Sequence, residues 1–200
     1  MSNTNTKGGC CCGTTNNPAT ANTTSCCTAG SSCCNPVQPA DQPRRLEIDF
    51  LYLDLSTCTR CRGTENTLEE AIAEVARVLE ATGMQVTVRK VHVQTEEQAR
   101  ELGFISSPTI RINGKDIQLD VKESLCESCG DLCGEDVDCR VWVYQGREYT
   151  VPPRAMIIEA ILREVYGGGN KAADNPRPIK DVPGNLKRFF AARRKKEAGD

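Results

Sequence analysis

The chain has 200 residues, room for one domain of ordinary size with tails. Aromatics make up 4% of it, so its core must be small and aliphatic. The net charge of −2 conceals a gradient: residues 41–170 carry 15 Lys+Arg against 23 Asp+Glu, a net of −8, and residues 171–200 carry 9 against 4, a net of +5. The body has no basic stripe with interleaved aromatics, which argues against a nucleic-acid face. No apolar run reaches the length of a transmembrane helix, and the N-terminus has no signal-peptide core. A cytoplasmic location is therefore expected. Thirteen cysteines in a reducing compartment point to metal binding or redox chemistry before a disulfide scaffold, and the odd count forbids complete internal pairing.

Residues 1–40 are dominated by Thr, Asn, Ser, Gly, Pro and Cys, with Val37 the only large aliphatic after Met1. Such a segment cannot bury enough apolar area to offset its ordering entropy, so 1–45 reads as a disordered tail and linker. Its cysteines fall in three groups: Cys10, Cys11 and Cys12; Cys26 and Cys27; Cys33 and Cys34. A vicinal disulfide strains the peptide between its cysteines. Grouped thiolates instead suit a soft ion, with Cu(I), Hg(II), Cd(II) and As(III) as candidates. The alternative is a low-complexity tail with incidental cysteines.

Leu46 to Leu55 is apolar on both faces, as a central strand requires. Leu68, Ile72, Val75 and Leu79 then repeat at helical spacing, and Gly83 ends the run. The helix is expected from about Thr64, with Thr67 and Glu70 as a capping box, or earlier from Cys61. "MQVTVRKVHVQ" predicts a second strand, and "TEEQARELG" a short helix capped by Thr95. Thr109–Ile112 and Asp116–Leu119 flank Asn113-Gly114, a two-residue hairpin signal. A last helix is predicted over Pro153–Tyr166. Before it, residues 120–152 hold four cysteines and a second hairpin turning at Gln145-Gly146.

The two cysteines of "STCTRCRG", Cys58 and Cys61, lie between the first strand and the first helix. Together with Ser107-Pro108-Thr109 and "IRINGK" they resemble the thioredoxin and glutaredoxin-like proteins. The resemblance covers residues 46–119 and 153–166. It implies an α/β fold: a mixed sheet flanked by helices, with a Cys-rich loop and hairpin inserted before the last helix. It also implies a domain over 46–166 and a cis proline at Pro108 facing the CxxC. The stretch from Leu46 to Tyr166 is also similar to an uncharacterised thioredoxin-like family with a Cys-rich insertion, which supplies a fold and no activity.

A cysteine at a helix N-terminus meets the positive end of the dipole, and Arg60 and Arg62 add charge nearby. Cys58 is then the expected nucleophile, the more exposed and more acidic thiol, with Cys61 as the resolving thiol and Pro108 as the partner-facing residue. Gly63-Thr64, directly after Cys61, can delay the helix start; in that case the dipole effect on Cys58 weakens and chelation gains ground. His92 reads as a partly exposed strand residue rather than a ligand.

"CESCGDLCGEDVDC" spaces Cys126, Cys129, Cys133 and Cys139 so that they can wrap one tetrahedral ion, zinc first. Two disulfides are the alternative. The spacing matches neither common ferredoxin pattern.

Residues 167–200 read as a Gly-rich linker and a basic tail. There Leu186, Phe189 and Phe190 lie beside six Lys/Arg, suited to dock on a membrane surface or on the acidic body, or to remain frayed in solvent.

Two functions are expected from these features. One is thiol–disulfide exchange through Cys58 and Cys61, with a thiol-containing protein or reductant as partner. The other is handling of soft metal or metalloid ions, in the cysteine style of the arsenical chaperones, which it resembles and which hand As(III) to an efflux pump. A structural zinc protein with a vestigial CxxC is the third reading.

Overall fold

The computed structural model describes residues 44–134, 136–168 and 177–199. The cysteine groups of residues 1–40, and the expectation that this tail is disordered, lie outside the described residues, as does most of the Gly-rich linker. Every described element belongs to the unit of residues 41–200.

The elements run β1 (Arg44–Tyr52), α1 (Thr59–Ala81), β2 (Met84–His92), α2 (Glu96–Glu101), β3 (Thr109–Ile112), β4 (Lys115–Asp116), β5 (Lys122–Leu125), α3 (Glu127–Cys133), β6 (Asp138–Tyr144), β7 (Arg147–Tyr149), α4 (Arg154–Tyr166) and α5 (Gly184–Gly199). Strands β2-β1-β3-β4 form one sheet in that order, with β1 and β2 parallel and the other pairs antiparallel. Strands β5-β6-β7 form a second, antiparallel sheet. The protein is thus mixed α/β, with two sheets and flanking helices.

Strand β1 is central and buried on both faces, as its sequence requires. Leu46, Ile48 and Phe50 face a core shared with Leu68, Val75 and Leu79 of α1 and with Met156, Ile157 and Ile161 of α4. Leu51, and Leu53 just beyond the strand, belong to a second core that contains Ala99, Phe104, Cys58, Cys61 and all four cysteines of residues 126–139. The cysteines therefore lie in apolar surroundings.

Both hairpins turn where the sequence signals them. Asn113 and Gly114 have φ of 49° and 81°, and Gln145 and Gly146 have 49° and 76°. Two successive positive φ values match the right-handed twist of the flanking strands. Thr95 caps α2 by accepting from Gln98 N–H at 3.2 Å.

Two local expectations are corrected. Gly63-Thr64 do not delay α1, which starts at Thr59 directly after Cys58. Gly63 is there for space: a Cβ at this position would lie 2.6 Å from Val151 Cγ2. The second correction concerns Thr67, whose hydroxyl donates to the Gly63 carbonyl at 2.9 Å inside the helix rather than capping it.

The basic C-terminal residues form α5, and α5 lies against the body. Leu186, Phe189 and Phe190 are buried in the cysteine-bearing core beside Val182 and Ala192. Asn185 donates to Glu123 at 2.6 Å, Arg194 pairs with Glu96 at 3.2 Å, and Lys196 donates to the Leu132 carbonyl at 3.2 Å. Apolar burial and the charge gradient thus work together.

Candidate metal centre

Three elements converge on one group of four sulfurs. The loop from β1 to α1 is organised by the buried carboxylate of Asp54, which accepts from Thr57 N–H at 2.6 Å and from Cys58 N–H at 3.1 Å. Cys58 is the N-cap of α1, and its sulfur accepts from Cys61 N–H at 3.4 Å. Cys126 is the N-cap of α3, and Cys129 lies in its first turn. Cys139 comes from β6, where it sits opposite Ser124 in the β5–β6 register. The Cys126 N–H donates to the Val137 carbonyl at 2.8 Å and closes the loop between α3 and β6.

The sulfurs of Cys58, Cys126, Cys129 and Cys139 all lie within 4.8 Å of one another, and all four residues are buried. Those of Cys129 and Cys139 are 3.4 Å apart. None of these cysteines, nor Cys61 or Cys133, is in a disulfide. A tetrahedral ion with bonds of about 2.3 Å would hold its sulfurs about 3.8 Å apart. The group fits one ion after a small contraction. A multinuclear iron–sulfur cluster places several irons and sulfides between its thiolates and needs a wider cage.

This set differs from the one expected from the sequence. Cys133 lies a full helical turn beyond Cys129, and its thiol donates to the Cys129 carbonyl at 3.2 Å. Its place in the group is taken by Cys58, which is remote in sequence. Arg60 ties the two regions together: its guanidinium donates to the carbonyls of Ser124 at 3.2 Å, Leu125 at 2.6 Å and Cys139 at 3.2 Å. Thr59 and Ser128 share a hydroxyl contact at 3.0 Å. The one advance signal was the pair of arginines beside the CxxC. The sequence places Arg60 near the thiolate as positive charge, whereas its guanidinium bonds go to three backbone carbonyls and the Ser124 hydroxyl.

The expectation that Cys58 is the more exposed thiol is also corrected, because Cys58 and Cys61 are both 0% exposed. The electrostatics nevertheless separate them. Hydrogen bonds from the thiols of Cys126, Cys129 and Cys139 hold Cys58 well below the usual thiol range. Cys126 is lowered to about 7, chiefly through Cys129. Cys129 and Cys139 are pushed up, each chiefly by its hydrogen bond to Cys126 and further by burial. The surroundings thus favour the thiolate form most at Cys58, with the neighbouring thiols as its hydrogen-bond donors. Cys61 is raised by that thiolate and by burial, and its sulfur lies 3.4 Å from the Ser107 hydroxyl.

Ser107 links Cys61 to the rest of the core. Its hydroxyl accepts from Leu53 N–H at 3.2 Å, its carbonyl accepts from Arg140 N–H at 2.7 Å, and the Ser107–Pro108 peptide is cis. Pro108 is buried at the start of β3. Arg140 is itself fully buried and makes a bidentate pair with Asp116 at 2.7 and 2.8 Å. His92 is an exposed strand residue whose ring nitrogen is 2.8 Å from the Leu53 carbonyl, outside the sulfur group.

The fold and site define a mixed α/β protein with a buried four-cysteine group able to hold a metal ion. A model described as a domain of unknown function, DUF2703, matches residues 46–161, and the chain belongs to that family. No curated protein and no solved structure matches it. Among the described residues, no helix is long and apolar enough to cross a membrane.

Proposed function

We propose that this is a thioredoxin-like thiol protein that binds one thiophilic ion through Cys58, Cys126, Cys129 and Cys139. The observation that carries the reading is the convergence of four buried sulfurs within 4.8 Å. The thioredoxin-like part is supported by the β2-β1-β3-β4 order, the CxxC at the start of α1 and the cis proline opening β3. An all-sulfur donor set with no carboxylate favours zinc among the common divalent ions, and softer ions such as As(III), Hg(II) or Cu(I) as cargo. Such thiolates must stay reduced, which fits a cytoplasmic setting. In this reading the seven tail cysteines capture ions, a metal efflux system is the partner for a soft cargo, and the tetrathiolate site is where the ion is held.

The test is metal analysis of protein purified without oxygen, with Cys→Ser variants at each of the six described cysteines. With the seven tail cysteines changed to serine throughout, one ion per chain is expected. It should be lost in C58S, C126S, C129S and C139S and kept in C133S. Loss in C133S but not in C58S would restore the local set and defeat this one.

Thiol–disulfide exchange through Cys58 and Cys61, facing Pro108, is the second reading. It is favoured by the position of Cys61 beside Ser107, outside the four-sulfur group. Its measure is reduction of a protein disulfide by the ion-free protein. A rate equal to that of C58S would remove it.

A further inference from the structure

The CxxC is divided between two neighbourhoods. Cys58 belongs to the four-sulfur group, and Cys61 does not. Yet Cys61 is the next turn of the same helix, and its N–H already donates to the Cys58 sulfur at 3.4 Å. A four-coordinate ion therefore leaves Cys61 as a thiol beside one of its ligands. A disulfide sulfur carries no charge and is a poor donor to a metal, so Cys58 cannot serve both partners together.

We infer that Cys58 alternates between two mutually exclusive states, ligand of the ion and half of a Cys58–Cys61 disulfide, so that oxidation by a peroxide expels the ion. This inference rests on the proposed metal site and adds its regulation. A peroxide is the fitting class of oxidant because the four sulfurs are buried, and a small oxidant needs the least opening of the core to reach them. The Cys58 thiolate attacks one peroxide oxygen. The O–O bond breaks, hydroxide leaves and takes up a proton as water, and Cys58 becomes a sulfenic acid. The Cys61 thiol then attacks the Cys58 sulfur. The S–S bond forms, the S–O bond breaks, and a second water leaves with the thiol proton. Two thiols lose two electrons, and one peroxide becomes two waters. The ion keeps three thiolates and is released to competing ligands, and a dithiol reductant restores the site.

The test uses the full-length chain with its seven tail cysteines changed to serine, loaded with zinc. Hydrogen peroxide is added in the presence of a chromogenic zinc chelator. One zinc should be released for each Cys58–Cys61 disulfide found by peptide mapping, and dithiothreitol should restore uptake. C61S should hold zinc, because Cys61 is not a ligand, and release it at least roughly tenfold more slowly, since no resolving thiol completes the disulfide. C61A provides the same comparison if the serine perturbs folding. Release from C61S and C61A at the parent rate would overturn the inference. So would a Cys129–Cys139 disulfide in the released protein, a pair whose sulfurs lie 3.4 Å apart. Protein that holds no zinc before peroxide is added fails the underlying metal reading, a distinct result that takes this inference with it.

Discussion

The guanidinium of Arg60 donates to the carbonyl oxygen of Cys139 at 3.2 Å, across 79 residues of chain. This bond, with those to Ser124 and Leu125, fixes the segment that carries three of the four converging sulfurs onto the helix that starts at the fourth. Replacing Arg60 with Ala should cost about 1–3 kcal/mol, as expected for charge-assisted bonds to carbonyls left without donors. It should also weaken zinc binding, because the two parts of the site are no longer held together. Lys at this position should rescue little, since a point charge cannot span three carbonyls. Denaturant titration and competition with a chelator measure the two effects.

Gly63 faces Val151 so closely that Gly63→Ala should destabilise the fold by about 1–3 kcal/mol through overpacking, although Ala is the better helix former. Combining it with Val151→Ala should recover part of that loss. A lone Gly63→Ala that raises the melting temperature would mean that the helix preference outweighs the clash.

The buried Arg140–Asp116 pair predicts a large, asymmetric cost. Asp116→Ala leaves a fully buried guanidinium without its carboxylate and should cost about 3–5 kcal/mol. The double change Asp116→Ala with Arg140→Met should be milder than the single one, because the uncompensated charge is gone. Urea unfolding of the three proteins decides this.

Phe190 closes the cysteine-bearing core from α5 and is 2% exposed. Phe190→Ala should cost about 3–5 kcal/mol and speed extraction of zinc by a chelator, since it leaves a cavity in the core that the sulfurs share. Extraction kinetics unchanged from wild type would show that α5 does not limit access.

Ion binding should release protons. At pH 7 Cys58 is already a thiolate, Cys126 lies near its midpoint at about 7, and Cys129 and Cys139 keep their protons. Loading zinc should then liberate about two to three protons per ion. Because protons compete with the ion, affinity should rise with pH and fall as Cys126 is protonated below about 7. Calorimetry in buffers of different ionisation enthalpy counts the protons. Release of none would mean that all four thiols are ionised before the ion arrives.

The sequence by itself determined the features set by local chemistry. An apolar run on both faces made β1 central. The Asn113-Gly114 and Gln145-Gly146 pairs took the positive φ values that a tight hairpin demands. Thr95 capped α2, and the 3.6-residue spacing of Leu68, Val75 and Leu79 marked the buried side of α1. The 126–139 segment was legible as a cysteine cluster, but not its membership. Spacing along a chain measures contour, whereas a ligand set depends on distance in space. A helical turn carried Cys133 away, and the pairing of Ser124 with Cys139 brought that cysteine back to the start of α3. Only the tertiary structure could deliver Cys58, because most of the contacts that hold it there are bonds from Arg60 to backbone carbonyls, which carry no side-chain signature. The same holds for α5. Its apolar and basic residues were visible, but the surface that receives them exists only once β6, α2 and α3 have packed.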